Sequence, residues 1–202
     1  MKVLLATKNR GKQKEYAMML KPLGIQVLTL EDMPGEAPDV VEDGATFEEN
    51  ALKKAEAYHR HYKLPAMADD SGLTVDALEG RPGVFSARYA GEHASDEDNI
   101  AKLLAELEGI PLQQRTARFI CVIAYVDGQG DPIIAKGSCE GQIALQPSGS
   151  FGFGYDPVFY LPSFQKTMAQ LPPEEKNRIS HRFNALKNFV RNLSDRGIGI
   201  RG

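Results

Sequence analysis

The sequence lacks a long apolar run, a basic tract and a cysteine motif, and each absence excludes a class of protein. No apolar stretch approaches the ~18 residues needed to span a bilayer, so we expect no membrane partner. No run of lysine and arginine exceeds two residues, which argues against a protein that binds nucleic acid. Cys121 and Cys139 are far apart and form no CxxC pair, so we expect reduced, buried thiols.

The first residues do not have the pattern of a secretory signal. Residues 3–6 are an apolar stretch of four residues. The core of a signal peptide has about 7–15 apolar residues, so we expect a cytoplasmic protein. The chain has 202 residues, 42% hydrophobic and 25% charged, which is ordinary globular composition. This length suits one domain or two small lobes that share a core.

Charge is distributed unevenly along the chain. Residues 1–159 carry 16 basic and 24 acidic side chains, whereas residues 160–202 carry 8 basic and 3 acidic ones. This division suits a small anionic ligand held between two parts, although a solvated basic helix face explains it equally well. From it we infer two lobes that meet in a cleft, within a single domain over residues 1–202.

Hydrophobic periodicity predicts an α/β fold with a mixed sheet. Short apolar runs at residues 2–7 and 25–30 indicate strands on either side of a helix at 12–23. Such a β-α-β unit favours a parallel pair of strands. Another short strand is predicted at 65–68, and the tail at 197–202 is expected to fray.

The middle and the end of the chain contain helix caps and one hairpin. Thr46, Ser95 and Ser180 are placed to cap three further helices. Strong alternation over residues 116–127 and a glycine-rich turn after it predict an antiparallel partner strand at 132–143.

The first of four clusters that could carry chemistry lies between the first predicted strand and helix. Main-chain N–H groups at a helix start, a hydroxyl and three cations favour a bound anion. The cluster is not a Walker A loop, because Ala6 and Gln13 stand where Gly and Ser or Thr are needed. A polar turn with exposed lysines is the alternative. The cluster consists of Thr7, Lys8, Asn9, Arg10, Gly11 and Lys12.

The second cluster contains two adjacent carboxylates, which we expect at the end of a strand, where open α/β sheets place ligands. Carboxylates can hold Mg²⁺ together with substrate phosphates, and one of them can act as a base toward water. A simple Asp-Ser-Gly turn is the alternative. Glu42 could add another metal-facing carboxylate, or its charge could interact only with the dipole of the next helix. The cluster consists of Asp69, Asp70, Ser71 and Gly72.

The third cluster, at residues 150–157, holds three aromatic residues and two glycines. Glycine lets a flat ligand approach the backbone, an aromatic ring can stack on it, and an Asp can accept from ring N–H groups. A loop that only lines the core is the alternative. The fourth cluster is residues 180–182, where an Arg could bond to the O6 and N7 acceptors of a purine or form a surface pair.

Together these clusters resemble the inosine triphosphate pyrophosphatase family, which includes the Ham1-like proteins. The resemblance covers residues 1 to about 195, and its motifs occur in the family's order and spacing. The motifs are residues 7–12, 46–51, 68–73, 82–89, 153–157 and 180–182.

The resemblance implies an enzyme that hydrolyses ITP, dITP and XTP to the monophosphate and pyrophosphate, and so keeps deaminated purines out of DNA and RNA. It also implies Mg²⁺ dependence, a two-lobed α/β fold with a nucleotide cleft, and a homodimer. A pyrophosphatase for other nucleotides on a similar scaffold is one alternative. A nucleotide sensor without catalysis is another, although it would not need paired carboxylates.

The resemblance also implies roles for the matched residues that lie around the phosphates. Residues 7–12 would hold the triphosphate, and Asp70 would be proton acceptor and metal ligand, with Asp69 as the alternative base. Glu42 is similar to the family's second metal-facing carboxylate. Lys54 is similar to a helix lysine that reaches the phosphates, with Lys53 as its rival.

The remaining matched residues would contact the rest of the substrate. Ser71 would contact it directly after the two carboxylates. The residues expected around the base are Phe153, Gly154, Tyr155, Asp156, Lys176, His181 and Arg182.

Overall fold

The computed structural model describes residues 1–198, and residues 199–202 of the predicted frayed tail lie outside the described residues. The strands are β1 (Lys2–Leu5), β2 (Gln26–Leu28), β3 (Ala66–Val75), β4 (Thr116–Val126), β5 (Ile133–Ile143), β6 (Phe159–Leu161) and β7 (Lys166–Thr167). The α-helices are α1 (Arg10–Leu20), α2 (Phe47–Tyr62), α3 (Asp96–Glu106), α4 (Pro173–Ile179) and α5 (His181–Asp195). No helix within residues 1–198 is long and apolar enough to cross a bilayer.

The strands form one mixed sheet in the order β2-β1-β3-β4-β5-β6-β7. β1 pairs in parallel with both β2 and β3, with Leu4 opposite Leu28 on one side and Ala66 on the other. β5, β6 and β7 pair antiparallel. The predicted α/β class and mixed sheet are therefore confirmed, and the hairpin strands β4 and β5 are neighbours as expected.

The chain divides into two compact units. One contains Met1–Asp70, Cys121–Gly137 and the residues from Arg182 onward, and the other contains Ser71–Ile120 and Ser138–His181. Three long strands, β3, β4 and β5, each contribute residues to both units.

Each unit has its own apolar core. In the first unit, Tyr16 and Leu20 of α1 and Phe189 of α5 are almost completely buried in one cluster with residues of β1, β3 and β4. A second cluster in that unit contains small residues of α2, including Ala51 and Ala55. The second unit buries the apolar face of α3 with the second half of β3 and the first half of β4. Burial of this kind contributes roughly 25 cal/mol per Å² of apolar surface.

The helices α1, α2 and α3 each begin at a side chain that caps them. Thr46 Oγ1 accepts from the Glu49 amide at 3.1 Å at the start of α2, and Ser95 and Asp98 form a reciprocal capping box at α3. Asn9 Oδ1 accepts from the Lys12 amide at 3.0 Å, so α1 begins at Arg10, earlier than predicted. α1 also ends earlier, at Leu20, because a short 3₁₀ turn containing a proline follows it.

The predicted strand at 65–68 was too short. β3 runs on to Val75, so Asp69, Asp70 and Ser71 lie inside a strand and not in a turn at its end. β1 pairs with β3 only as far as Leu5 opposite Met67, whereas β3 continues beside the longer strand β4. The two carboxylates therefore lie just beyond the carboxyl end of β1. The sequence pattern predicts them at the end of their own strand, but the strand that ends beside them is β1.

Sequence patterns also missed two short strands, one short helix and the partial exposure of Cys139. The strands β6 and β7 have three and two residues, too few for alternation to show. α4 begins with Pro173 followed by two glutamates, a pattern typical of a helix start. Both cysteines are free, but only Cys121 is buried, and Cys139 is half-buried in β5, which corrects the expectation for that thiol.

Candidate active site

The segment at residues 7–12, which runs from the loop after β1 into the first turn of α1, exposes two of its cations to solvent and directs a third inward. Lys8, Asn9 and Arg10 are exposed. The Asn9 amide donates to Thr7 Oγ1 at 3.1 Å, which closes the turn before α1. Lys12, in the first turn of α1, is half-buried, and its Nζ lies 3.1 Å from Asp69 Oδ1. Gly11 lies beside it in the same turn.

Asp69 has no exposed surface and is surrounded by cations. Its Oδ2 accepts from Arg182 Nη2 at 3.3 Å, and its main-chain oxygen accepts from Lys54 Nζ at 2.8 Å. Burial by itself would raise the pKa of Asp69, but the charges of Lys12, Arg182 and Lys54 outweigh it and hold the pKa well below its ordinary value. Asp69 is therefore a permanently charged anchor and a poor proton acceptor.

Asp70 has a different environment, although it is the next residue. Its Oδ2 accepts from Asn50 Nδ2 at 3.0 Å, and its Oδ1 lies 4.0 Å from Lys54 Nζ. Burial raises the pKa of Asp70, the cations Lys54 and Lys12 lower it, and the net result is a raised pKa. Of the two carboxylates, Asp70 is the better base, in agreement with the role that the resemblance implies.

Lys54 lies among the carboxylates around Asp69 and Asp70, and Lys53 does not. Lys54 is buried on α2, and its Nζ donates to Glu42 Oε2 at 2.8 Å as well as to the Asp69 carbonyl. Lys53 is exposed and pairs with Asp43. The structure therefore brings Lys54, and not its rival, to the predicted site.

A cavity of about 260 Å³ adjoins this group. Thr7 and Lys8 line it from the loop after β1, and Glu42 and Lys54 line it from the α2 side. Its lining combines a hydroxyl, two cations and two carboxylates, Asp39 and Glu42, which is the chemistry that a phosphate chain with a divalent cation requires.

Asp70 and Glu42 are chemically suited to hold Mg²⁺. Both approach the ammonium of Lys54, and the charge of Glu42 contributes to the raised pKa of Asp70, so the two carboxylates are close enough to interact. Within residues 1–198 no group of three or more His, Cys, Asp or Glu side chains could enclose a metal. Mg²⁺ does not need such a group, because it takes one or two carboxylates and completes its shell with water and substrate phosphates.

In the second unit, the loop at residues 150–157 is fixed from within by Asp156. The Phe153 amide donates to Asp156 Oδ2 at 3.0 Å, and Lys176 of α4 pairs with the same oxygen. Lys176 Nζ also lies 4.8 Å from the centre of the Phe153 ring. Gly152 has φ +79, and a Cβ there would lie 2.0 Å from Asp156 Oδ2, so only glycine fits above this carboxylate.

The other candidates of the second unit hold neighbouring elements together. The Tyr155 hydroxyl donates to the Ser86 carbonyl at 2.8 Å. The His181 ring stacks on Phe119, with 4.7 Å between the ring centres. Ser71 is half-buried in β3, next to Asp70 in sequence.

Arg182 belongs to the first unit and is only 1% exposed. Its Nη1 donates to Glu15 of α1, and Nε and Nη2 donate to Asp69 at 3.4 and 3.3 Å. The role of Arg182 in reading a purine edge stays a prediction. Sequence reasoning missed Glu15, although a charged residue next to Tyr16 on the apolar stripe of α1 is a signal of a buried ion pair.

The comparison with known proteins agrees with these motifs. Residues 3–192 match the model of the Ham1 family. The chain belongs to the Ham1 family. A dITP/XTP pyrophosphatase of Geobacillus kaustophilus is 57% identical over 184 residues, which cover 91% of this chain and 90% of that protein.

Solved structures of Ham1 proteins have the same fold. The Ham1 protein of Staphylococcus aureus superposes with a TM-score of 0.85 at 42% identity, covering 97% of this chain and all of that one. A Ham1 protein from Coxiella burnetii gives a TM-score of 0.85 at 45% identity, over 96% of this chain and 99% of that one. The family resemblance that the motifs indicate is therefore confirmed.

The ion pair between Glu15 and Arg182 makes the first prediction. Glu15→Ala should lower the free energy of unfolding by about 2–4 kcal/mol, because it leaves a buried guanidinium with only part of its compensation. Urea denaturation measures the loss. Lys14→Ala is the control, since it makes the same kind of change at the neighbouring exposed position of α1. Equal stability of the two variants would contradict a stabilising role for the pair.

Proposed function

We propose that the protein is a Mg²⁺-dependent hydrolase of non-standard purine nucleoside triphosphates, namely ITP, dITP and XTP. Its products are the nucleoside monophosphate and pyrophosphate, and its role is to keep deaminated purines out of DNA and RNA. The observation that carries the proposal is the pair Asp69 and Asp70, which lies beside Lys12 and Lys54 at the carboxyl end of β1. The curated relatives named dITP/XTP pyrophosphatase supply the substrate class.

The phosphate chain binds at the loop after β1 and at the lysines behind it. The exposed cations Lys8 and Arg10 attract the triphosphate, and Thr7 and the amides at the start of α1 donate to its oxygens. Lys12 and Lys54 neutralise charge that develops on the pyrophosphate leaving group. The ion pair of Lys12 with the buried Asp69 and that of Lys54 with the half-buried Glu42 hold both ammonium groups in place before substrate arrives.

Asp70 takes the proton from the attacking water. Its raised pKa makes it a stronger base than a solvated Asp, and the Asn50 side chain orients its carboxylate. Asp70 and Glu42 hold the Mg²⁺ ion. When bound, the ion offsets phosphate charge and polarises the phosphorus under attack. Asp69 contributes by keeping Lys12 and Lys54 in position.

The base binds to the loop at residues 150–157. Phe153 stacks on the purine, and Gly154 and Tyr155 shape the backbone around it. The polar residues proposed to surround the base are Asp156, Lys176, His181 and Arg182. A site built to bond a 6-keto group rejects adenine by about 10⁴-fold or more, because the amino group leaves buried donors unpaired. We also propose a homodimer in the cytoplasm.

The test of this proposal is hydrolysis of ITP, XTP and ATP with Mg²⁺ in ¹⁸O-labelled water. We expect pyrophosphate from ITP and XTP, and a rate with ATP that is lower by about 10⁴-fold or more. The position of ¹⁸O in the monophosphate or the pyrophosphate reports which phosphorus is attacked. Equal rates with ATP and ITP, or release of single phosphates, would contradict the proposal.

The two carboxylates should differ in their effect on turnover. Asp70→Asn removes the base and a metal charge together, so kcat should fall by about 10²-fold or more while the fold persists. Asp69→Asn should raise KM and lower thermal stability, because it releases Lys12 and Arg182. Steady-state kinetics with ITP and a melting curve separate the two effects. A kcat for Asp70→Asn above about a tenth of the wild-type value would remove Asp70 from the base role.

Glu42 and Asp43 provide a matched pair for the metal. Glu42→Gln should raise the Mg²⁺ concentration that gives half-maximal ITP hydrolysis by about tenfold, because one of two carboxylate ligands is lost. Asp43→Asn should leave this concentration unchanged, since Asp43 is exposed and pairs with Lys53. Titration of Mg²⁺ after treatment with a chelator gives both values. An identical Mg²⁺ dependence in the two variants would exclude Glu42 as a ligand.

A further inference from the structure

Two consecutive amides of the loop at residues 150–157 are held by carboxylates. The Phe153 amide donates to Asp156 in the same loop, as described above. The Gly154 amide donates to Asp96 Oδ2 at 2.7 Å. Asp96 is the first residue of α3 and lies 58 positions away in the chain, so this bond connects the loop to a different element of the second unit.

The helix itself does not use the Asp96 side chain as a cap. The start of α3 is capped by Ser95, whose hydroxyl accepts from the Asp98 amide at 3.1 Å, and Asp98 in return accepts from the Ser95 amide at 2.9 Å. Asp96 therefore adds a contact that helix formation does not require. A bond from an amide to an ionised carboxylate is also stronger than one between neutral groups.

Tyr155 packs in the apolar cluster that contains Ile100 and Leu103 of α3, but the preceding residues of the loop are separated from the helix. A cavity of about 550 Å³ lies between them, lined by Ile100 and Leu104 of the helix and by residues 149–154 of the loop. Phe151, at the edge of this cavity, is 49% exposed. Gly154 has φ +60, a conformation that strains most side chains, so its amide direction depends on glycine. At Gly154 the hydrogen bond to Asp96 connects the loop to the helix.

We propose that Asp96 is a positioning residue for purine recognition. It fixes the Gly154 amide while Asp156 fixes the Phe153 amide, and the two bonds together set the plane of the Phe153 ring. This inference rests on the proposed function, in which that ring stacks on the base. Asp96 acts through the loop backbone and contacts no reacting atom.

The experiment compares three variants of the full chain. Asp96→Ala removes the acceptor, and Asp96→Asn keeps an acceptor without the charge. Glu97→Ala removes the same charge from the next residue of α3, which lines the same cavity. Each variant is assayed for kcat and KM with ITP. Amide hydrogen exchange takes place in the full chain and is read from the fragment that covers residues 150–157.

We expect Asp96→Ala to raise KM for ITP about fivefold with kcat within about twofold of wild type, because stacking on the base is equally strong in ground and transition states. Exchange over residues 150–157 should accelerate about fivefold in the same variant. Asp96→Asn should restore most of both values, and Glu97→Ala should match wild type.

Three results would overturn the inference. They are equal KM values for Asp96→Ala and Glu97→Ala, a fall in kcat without a rise in KM, or unchanged exchange over residues 150–157. A wild-type protein that does not hydrolyse ITP would instead contradict the proposed function. In that case the exchange measurement still decides by itself whether Asp96 holds the loop.

Discussion

A carboxylate without exposed surface stays ionised only if cations surround it, and Asp69 is such a carboxylate in the middle of β3. Its cations come from three helices: Lys12 from α1, Lys54 from α2 and Arg182 from α5. This one charge therefore positions the three helices of the first unit relative to β3. Removing any cation would leave buried charge uncompensated, so the arrangement stabilises the fold and orders Lys12 and Lys54 together.

The same geometry gives adjacent residues different chemistry. Successive side chains of a strand point to opposite faces, so Asp69 and Asp70 meet different partners although they share a peptide bond. Cations hold the pKa of Asp69 low, whereas burial raises that of Asp70 despite the hydrogen bond from Asn50. Environment, and not residue type, gives the two carboxylates opposite pKa shifts. The second unit uses carboxylates differently, because Asp96 and Asp156 accept from loop amides and order a backbone.

Several features could be predicted from the sequence because they depend on local patterns. The caps at Thr46 and Ser95 contact amides three residues away. The alternation of apolar and polar residues in β4 reflects the face of the strand on which each side chain lies. The polar turn after β1 also lies within one short segment, and its motif together with the others is specific enough to indicate the Ham1 family. The α/β class with its mixed sheet follows from the same local signals.

Tertiary structure alone decided which of these residues meet. Glu15 and Arg182 are 167 positions apart, and their pairing depends on how α1 and α5 pack on the sheet. The choice of Lys54 over Lys53 depends on which face of α2 is buried. Sequence determined the chemical groups and the local elements that carry them, because those follow from short-range hydrogen bonding and periodicity. The structure determined the charges around each carboxylate, because ion pairs between distant segments form only when strand register and helix packing are fixed.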